Sequence, residues 1–320
     1  SGNRPTRFTM TVHFADRLME AIERTRAPAV VALDPVAARL PAAIRAAHGL
    51  RDASDRSAVA GALADFCRQV IDAVAALVPA VKVNSAFFEP YRAPGIAAYE
   101  AVIEHAGRRG LLVIGDVKRG DVGHSAEQYA QAHLGDAEPS EANPPATPDA
   151  ITISGYFGVD GARPFIDAAC VAGRGVFVLV RTSNPSAAAI QDVPTDDGRR
   201  MHDVIAEQVA LWAADPGTIG SRGYSAVGAV VATRNAADAA RLRAAMPNSI
   251  FLVPGYGAQG ATADDLRPCF RQDGTGAIVA AGRSIIYAGE HATDDHAWTA
   301  SVSAACEAFV LDLRRATGWA

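Results

Sequence analysis

Short apolar runs recur along the chain at residues 30–34, 80–84, 111–114, 150–154, 176–180, 226–231, 250–253 and 277–281. Each is rich in Val, Ile, Leu or Ala and too short for a buried helix, so each reads as a buried strand. Between them lie longer stretches of helical pattern: 56–77, 95–108, 126–130, 159–172, 197–214, 236–245 and the region after Ser284. Strands separated by helices imply parallel pairing. Eight such units predict a closed (β/α)8 barrel. An open doubly wound sheet is the main competitor, but no GxGxxG follows the first strand.

In a barrel the polar residues fall into order. Asp34, Lys82, Asn84, Asp116, Lys118, Ser183, Gln259 and Arg283 all sit at or just after C-terminal strand ends, the face where barrels of this kind carry their active sites. Loops near 35–55 and 184–197 follow strands and are expected to overhang that face. The acidic, proline-rich stretch 134–148 precedes a strand and is expected on the far face.

The densest polar stretch is Gly115-Asp116-Val117-Lys118-Arg119-Gly120-Asp121-Val122-Gly123-His124-Ser125. Strand alternation puts Asp116 and Lys118 on one face, a carboxylate beside an ammonium. The bland alternative is a surface ion pair worth about 0–1 kcal/mol, with Asp121 as a helix N-cap and Ser125 with Gln128 as a capping box. A second signal is Pro254-Gly255-Tyr256-Gly257-Ala258-Gln259-Gly260 after the seventh strand, with Gly282-Arg283 after the eighth. Barrels often bind phosphate between those two loops, and small residues let backbone N–H groups approach its oxygens.

At 320 residues the chain can bury a large core as one domain, here residues 11–320 after a leader of residues 1–10. Within that leader, Ser1-Gly2-Asn3 is compatible with a scar of tag removal. A net charge of −5 lacks the basic footprint of a nucleic-acid binder. Cys67, Cys170, Cys269 and Cys306 show no CxxC spacing, so zinc and redox motifs are not expected, and buried packing is. No signal segment and no membrane-length apolar run is evident, which points to the cytoplasm and away from a membrane partner.

The quoted stretch is similar to the Asp-x-Lys-x-x-Asp-[Ile/Val]-x-x-[Thr/Ser] signature of the orotidine 5′-phosphate decarboxylase family. Leu33-Asp34-Pro35, Lys82-Val83-Asn84, Ser183-Asn184-Pro185, the 254–260 loop and Gly282-Arg283-Ser284 match in the family's order, from about Val30 to Ile286. The length and the Phe87-Phe88-Glu89 segment resemble its longer bacterial subgroup, type 2. The resemblance implies conversion of orotidine 5′-monophosphate to UMP and CO2 without metal or cofactor, as the last step of UMP biosynthesis. It implies that Lys118 protonates C6, Asp116 faces the substrate carboxylate, and Lys82 bridges the acids. It implies a homodimer in which Asp121 enters the partner's site. Substrate contacts would come from Asp34 (ribose), Ser183 (pyrimidine edge), Gln259 and Arg283 (phosphate), and from Ser125, Pro254 and Gly282. Ser125 stands where threonine is common. Asn84, His124 and Tyr156 receive no role, and His124 is expected in packing or solvent.

Two alternatives remain at this stage. One is a sugar-phosphate decarboxylase or aldol-type synthase of the same barrel superfamily, which uses Mg2+. The other is a nucleotide-sensing module on an inactive barrel. Ser183 and Lys82 oppose the first, and the full charge array opposes the second.

Overall fold

Eight parallel strands pair in chain order and close on themselves in the computed structural model, which describes residues 12–50, 55–135, 146–232, 235–257, 260–290 and 295–319. The strands are β1 Ala29–Leu33, β2 Ala80–Asn84, β3 Leu112–Arg119, β4 Ala150–Ser154, β5 Gly175–Arg181, β6 Val227–Val231, β7 Phe251–Pro254 and β8 Ala277–Ala281. The helices are α1 Phe14–Thr25, α2 Ala42–Ala47, α3 Arg56–Val74, α4 Arg92–Arg108, α5 Gly123–Leu134 and α6 Gly158–Val171. They continue as α7 Ala188–Gln191, α8 Met201–Ala213, α9 Ala236–Ala245, α10 Ala263–Leu266, α11 Arg283–Ile286 and α12 Asp295–Thr317. The expected (β/α)8 barrel is thus the observed fold, a single domain. None of these helices is long and apolar enough to cross a membrane. The expected leader, residues 1–10, lies outside the described residues, as does most of the 134–148 stretch. At the near end of that stretch, Leu134 O accepts from Arg174, which precedes β5 and so marks the far face.

Alternation along the strands divides the apolar side chains into two groups. Val31, Leu33, Val81, Val83, Val113, Ile151, Val176 and Val178 face outward and pack under the helices. Val30, Ala80, Ile114, Ala150, Phe177 and Ile278 face inward and fill the barrel.

Helix α1, absent from the sequence reading, completes the inner group. Its Phe14, Leu18 and Ile22, at i,i+4 spacing, join the barrel interior from the N-terminal end of the strands. The Phe14 ring meets Phe177 edge-on at 5.9 Å. Gly175 lies so close to that ring that a Cβ there would collide with it. Polar contacts fix the plug: Arg17 pairs with Asp149, Asp16 accepts from the backbone N–H groups of Ser221 and Arg222, and His13 Nε2 lies 2.8 Å from Thr218 O. The amphipathic spacing was visible in the sequence, but a helix ahead of the first strand lies outside the repeating βα unit.

Two local expectations change. β3 does not end before the Asp116 motif but runs through it to Arg119. Helix α5 begins at Gly123 with Val122 as its N-cap, and no side chain caps it, so neither Asp121 nor a Ser125–Gln128 box does so.

If α1 is the barrel's floor, Phe14→Ala should cost about 3–5 kcal/mol, the usual range for deleting a buried ring. Urea unfolding measures this, and a loss below 1 kcal/mol would show α1 to be dispensable to the core.

Candidate active site

Four consecutive strands deliver charged or polar groups to one point at the C-terminal mouth. Lys82 on β2 and Asp116 on β3 are 8% and 7% exposed, with Lys82 Nζ 2.5 Å from Asp116 Oδ2. Asp34, just after β1, brings Oδ1 to 3.7 Å from the same ammonium. Lys118 Nζ lies 2.7 Å from the other oxygen of Asp116, Oδ1. Thr152 on β4 donates to that oxygen at 2.9 Å. Both oxygens of Asp116 are therefore occupied, and the row reads Asp34–Lys82–Asp116–Lys118.

The two lysines differ in access. The Lys82 side chain is 10% exposed and that of Lys118 is 50% exposed. Burial pushes the Asp116 carboxyl upward, but the ammoniums of Lys82 and Lys118 outweigh it and bring the group down to about 2. Burial likewise opposes the charge on Lys82, yet Asp34 and Asp116 hold it above the ordinary lysine value. Asp116 is thus an anion and Lys82 a cation at neutral pH.

The reason Lys118 reaches Asp116 differs from simple alternation. β3 is bulged between Gly115 and Arg119 where it pairs with β4, and Lys118 sits at φ 45, in the left-handed region. Bulges are common beside active sites because they re-aim side chains.

The loops after β7, β8 and β1 meet on one side of the mouth. A Cβ added at Gly257 would lie 3.2 Å from Ser284 Oγ, and one at Gly282 would lie 3.7 Å from Asp34 Oδ2. The hydroxyl of Tyr287 accepts from Val36 N at 2.6 Å and donates to Asp34 O at 3.2 Å. Arg39 stacks on the Tyr287 ring and pairs with Glu290. Arg283 opens α11 and is exposed. Gln259 lies outside the described residues. Ser183 and Pro254 line one cavity of about 460 Å3, together with Arg181, Asn184 and Asn235.

Asp121 and Ser125 stand apart from this group. Asp121 Oδ1 accepts from Val122 N at 2.8 Å and makes no ion pair among the described residues. Ser125 is exposed on α5. His124 is solvent-facing and pairs with Glu127, and Asn84 caps the turn that follows β2. Tyr156 is 72% exposed. Sequence reasoning missed Thr152 and Tyr287. A threonine among the inward positions of an otherwise apolar strand was the available sign of the former. Nothing local marked the latter.

Fold and site together define a (β/α)8-barrel enzyme with a lysine–carboxylate row at the C-terminal mouth. The family model described as orotidine 5′-phosphate decarboxylase / HUMPS family matches residues 29–295. An orotidine 5′-phosphate decarboxylase of Rhodopirellula baltica is 41% identical over 91% of this chain and 96% of its own. One from Caldicellulosiruptor bescii is 36% identical over 87% and 90%. The solved OMP decarboxylase of Leishmania donovani superposes with a TM-score of 0.73 at 26% identity, covering 96% of this chain and all of that one. The chain belongs to the orotidine 5′-phosphate decarboxylase / HUMPS family, and it is a decarboxylase, a carboxy-lyase.

The lowered Asp116 pKa has a consequence for stability. A carboxyl whose folded pKa is depressed contributes stability above its unfolded value, about 3.9, and that contribution is lost as pH falls toward the folded value of about 2. Between those limits Asp116→Asn should flatten the pH slope of unfolding free energy by up to about 1.4 kcal/mol per pH unit, one proton's worth. Identical slopes for the two proteins in urea unfolding would mean that Asp116 titrates normally.

Proposed function

We propose that this enzyme decarboxylates orotidine 5′-monophosphate to UMP and CO2, the last step of UMP synthesis, using fixed charges and no metal or cofactor. The observation that carries the reading is the pairing of an ionised, buried Asp116 with a solvent-open Lys118. Loss of CO2 from C6 leaves an electron pair in the plane of the pyrimidine ring, where it cannot spread into the π system. A positive charge placed at C6 is then the effective stabiliser. Lys118 is the accessible ammonium beside the carboxylate. It stabilises the carbanion, gives its proton to C6 and is reprotonated from solvent. Lys82, buried between Asp34 and Asp116, keeps Asp116 charged.

Asp116 faces the substrate carboxylate. Two unit charges 4 Å apart repel by about 4 kcal/mol at an effective dielectric of 20, which equals about three powers of ten in rate if released in the transition state. Asp34 binds the ribose hydroxyls and Ser183 the pyrimidine edge. Pro254, Gln259, Gly282 and Arg283 form the phosphate side. The closeness of Gly257 to Ser284 and of Gly282 to Asp34 supports one continuous phosphate–ribose wall.

The enzyme works as a homodimer in which Asp121 and Ser125 serve the partner's site. Three features support this. Asp121 forms no ion pair within its own described chain. It also lies beside exposed apolar side chains: Val122 is 50% exposed, Tyr156 72%, Phe157 42% and Val159 45%. These residues are contiguous, since a Cβ at Gly161 would meet Asp121 O at 3.0 Å and one at Gly120 would meet the Phe157 ring at 3.1 Å. A grouped apolar surface of this kind marks an interaction site.

Subunit mixing tests both ideas. Lys118→Ala and Asp121→Ala should each be inactive while folded. A two-fold interface is reciprocal, so a mixed dimer holds one doubly defective site and one intact site, and about a quarter of all sites should recover after random exchange. No recovery after verified exchange would place Asp121 in its own subunit's site, and near-normal kcat in Lys118→Ala would remove it as the proton donor. Turnover should also survive EDTA; activity that vanishes with EDTA and returns with Mg2+ would refute the metal-free reading. Arg283→Ala should lower kcat/KM by weakening the hold on the remote phosphate, and an unchanged kcat/KM would place Arg283 outside the site.

A further inference from the structure

The side chain of Thr152 spans the β3 bulge. Pairing with β4 runs Ile114↔Ala150 and Gly115↔Ile151, then resumes only at Arg119↔Ile153. Four residues advance on β3 while two advance on β4, so Asp116, Val117 and Lys118 all stand opposite Thr152. At this point the backbone N–H of Lys118 donates to a side chain, Thr152 Oγ1, at 3.0 Å. The same hydroxyl donates to Asp116 Oδ1 at 2.9 Å. A hydroxyl has one hydrogen, and an amide N–H can only donate, so both directions are set. Thr152 is 1% exposed, so water does not compete for either bond.

Those two bonds fall on the groups that the proposed reaction uses. The carboxylate oxygen held by Thr152 is the one that Lys118 Nζ grips at 2.7 Å. The N–H held by Thr152 belongs to Lys118 itself, whose φ of 45 is a conformation that side-chain-bearing residues seldom hold without support. One buried hydroxyl therefore closes a ring: Lys118 backbone, Thr152, Asp116 carboxylate, Lys118 ammonium.

We propose that Thr152 is a positioning residue for the decarboxylation, its hydroxyl tying the Lys118 backbone to the Asp116 carboxylate across the β3 bulge. Its two hydrogen bonds both go to protein groups, Lys118 N and Asp116 Oδ1. It sets where the ammonium stands relative to the carboxylate, and so where the proton is delivered. This rests on the reading of Lys118 as proton donor.

Thr152→Val keeps the shape and branching and removes only the hydroxyl. It should lower kcat about 30-fold, or about 2 kcal/mol at 1.36 kcal/mol per tenfold, the scale of one hydrogen bond to a charged group. KM and the affinity for UMP should stay near wild type. Thr152→Ser, which restores the hydroxyl without the methyl, should recover most of the lost rate. If Thr152→Val does not give folded protein, Thr152→Ala carries the same expectation. Lys118→Ala is assayed alongside. Wild-type kcat in the valine variant with an inactive Lys118→Ala overturns the positioning role and leaves the function standing. An active Lys118→Ala overturns the functional reading instead. Equal losses in kcat and UMP affinity, with no rescue by serine, would reduce Thr152 to a packing residue and overturn the inference.

Discussion

Burying a lysine ammonium against an aspartate carboxylate shapes the whole barrel mouth. Lys82 and Asp116 are each more than nine-tenths buried, and removing such ions from water costs several kcal/mol apiece. Their mutual attraction offsets that cost only if their remaining hydrogen-bonding capacity is also used. Asp34 takes up the far side of Lys82, while Lys118 and Thr152 take up the far oxygen of Asp116. The four elements β1 to β4 must therefore hold one register, with Ala32 beside Lys82 and Asn84 beside Asp116. A slip by one residue would turn these side chains to the opposite face.

The two ends of the barrel handle buried charge differently. At the floor, Arg243 is 8% exposed and donates to the carbonyls of Gly276, Met246 and Ser249 while stacking on Phe251. Among the described residues no carboxylate pairs with it, and burial lowers it to about 10. Backbone dipoles suffice there because the arginine only ties loops together. At the mouth, ammoniums meet carboxylates directly and one of them, Lys118, stays open to solvent. A charge held by backbone alone is structural; a charge row with an open end is prepared to meet another charge.

The mouth is also asymmetric around its rim. The loops after β7, β8 and β1 are stitched to one another through Tyr287, Arg39 and Glu290 and through the close approach of Gly257 to Ser284. That side can act as a preformed wall. Opposite it, Asp121 makes no ion pair among the described residues, and Tyr156 and Phe157 are exposed, which suits the proposed arrangement in which a second copy completes the site.

The barrel was legible in the sequence because parallel strands buried on both faces must be nearly continuous apolar runs; β2, β4 and β8 fall where the runs placed them. The lysine–carboxylate motif was legible because its members are neighbours in the chain or stand at predictable strand ends. Three features were decided only by tertiary structure. Helix α1 becomes the floor because Phe14 meets Phe177, far away in sequence. The β3 bulge was invisible because a run of apolar and polar residues does not reveal how many of them oppose one partner residue. The partner of Thr152 was hidden although the threonine itself stood out in an apolar strand, since β4 places its hydroxyl against an aspartate 36 positions earlier. Local pattern determines which segments become strands and which ends carry charge. Contacts across the barrel decide which polar group finishes each buried charge, because desolvated groups must find partners in space wherever the chain happens to supply them.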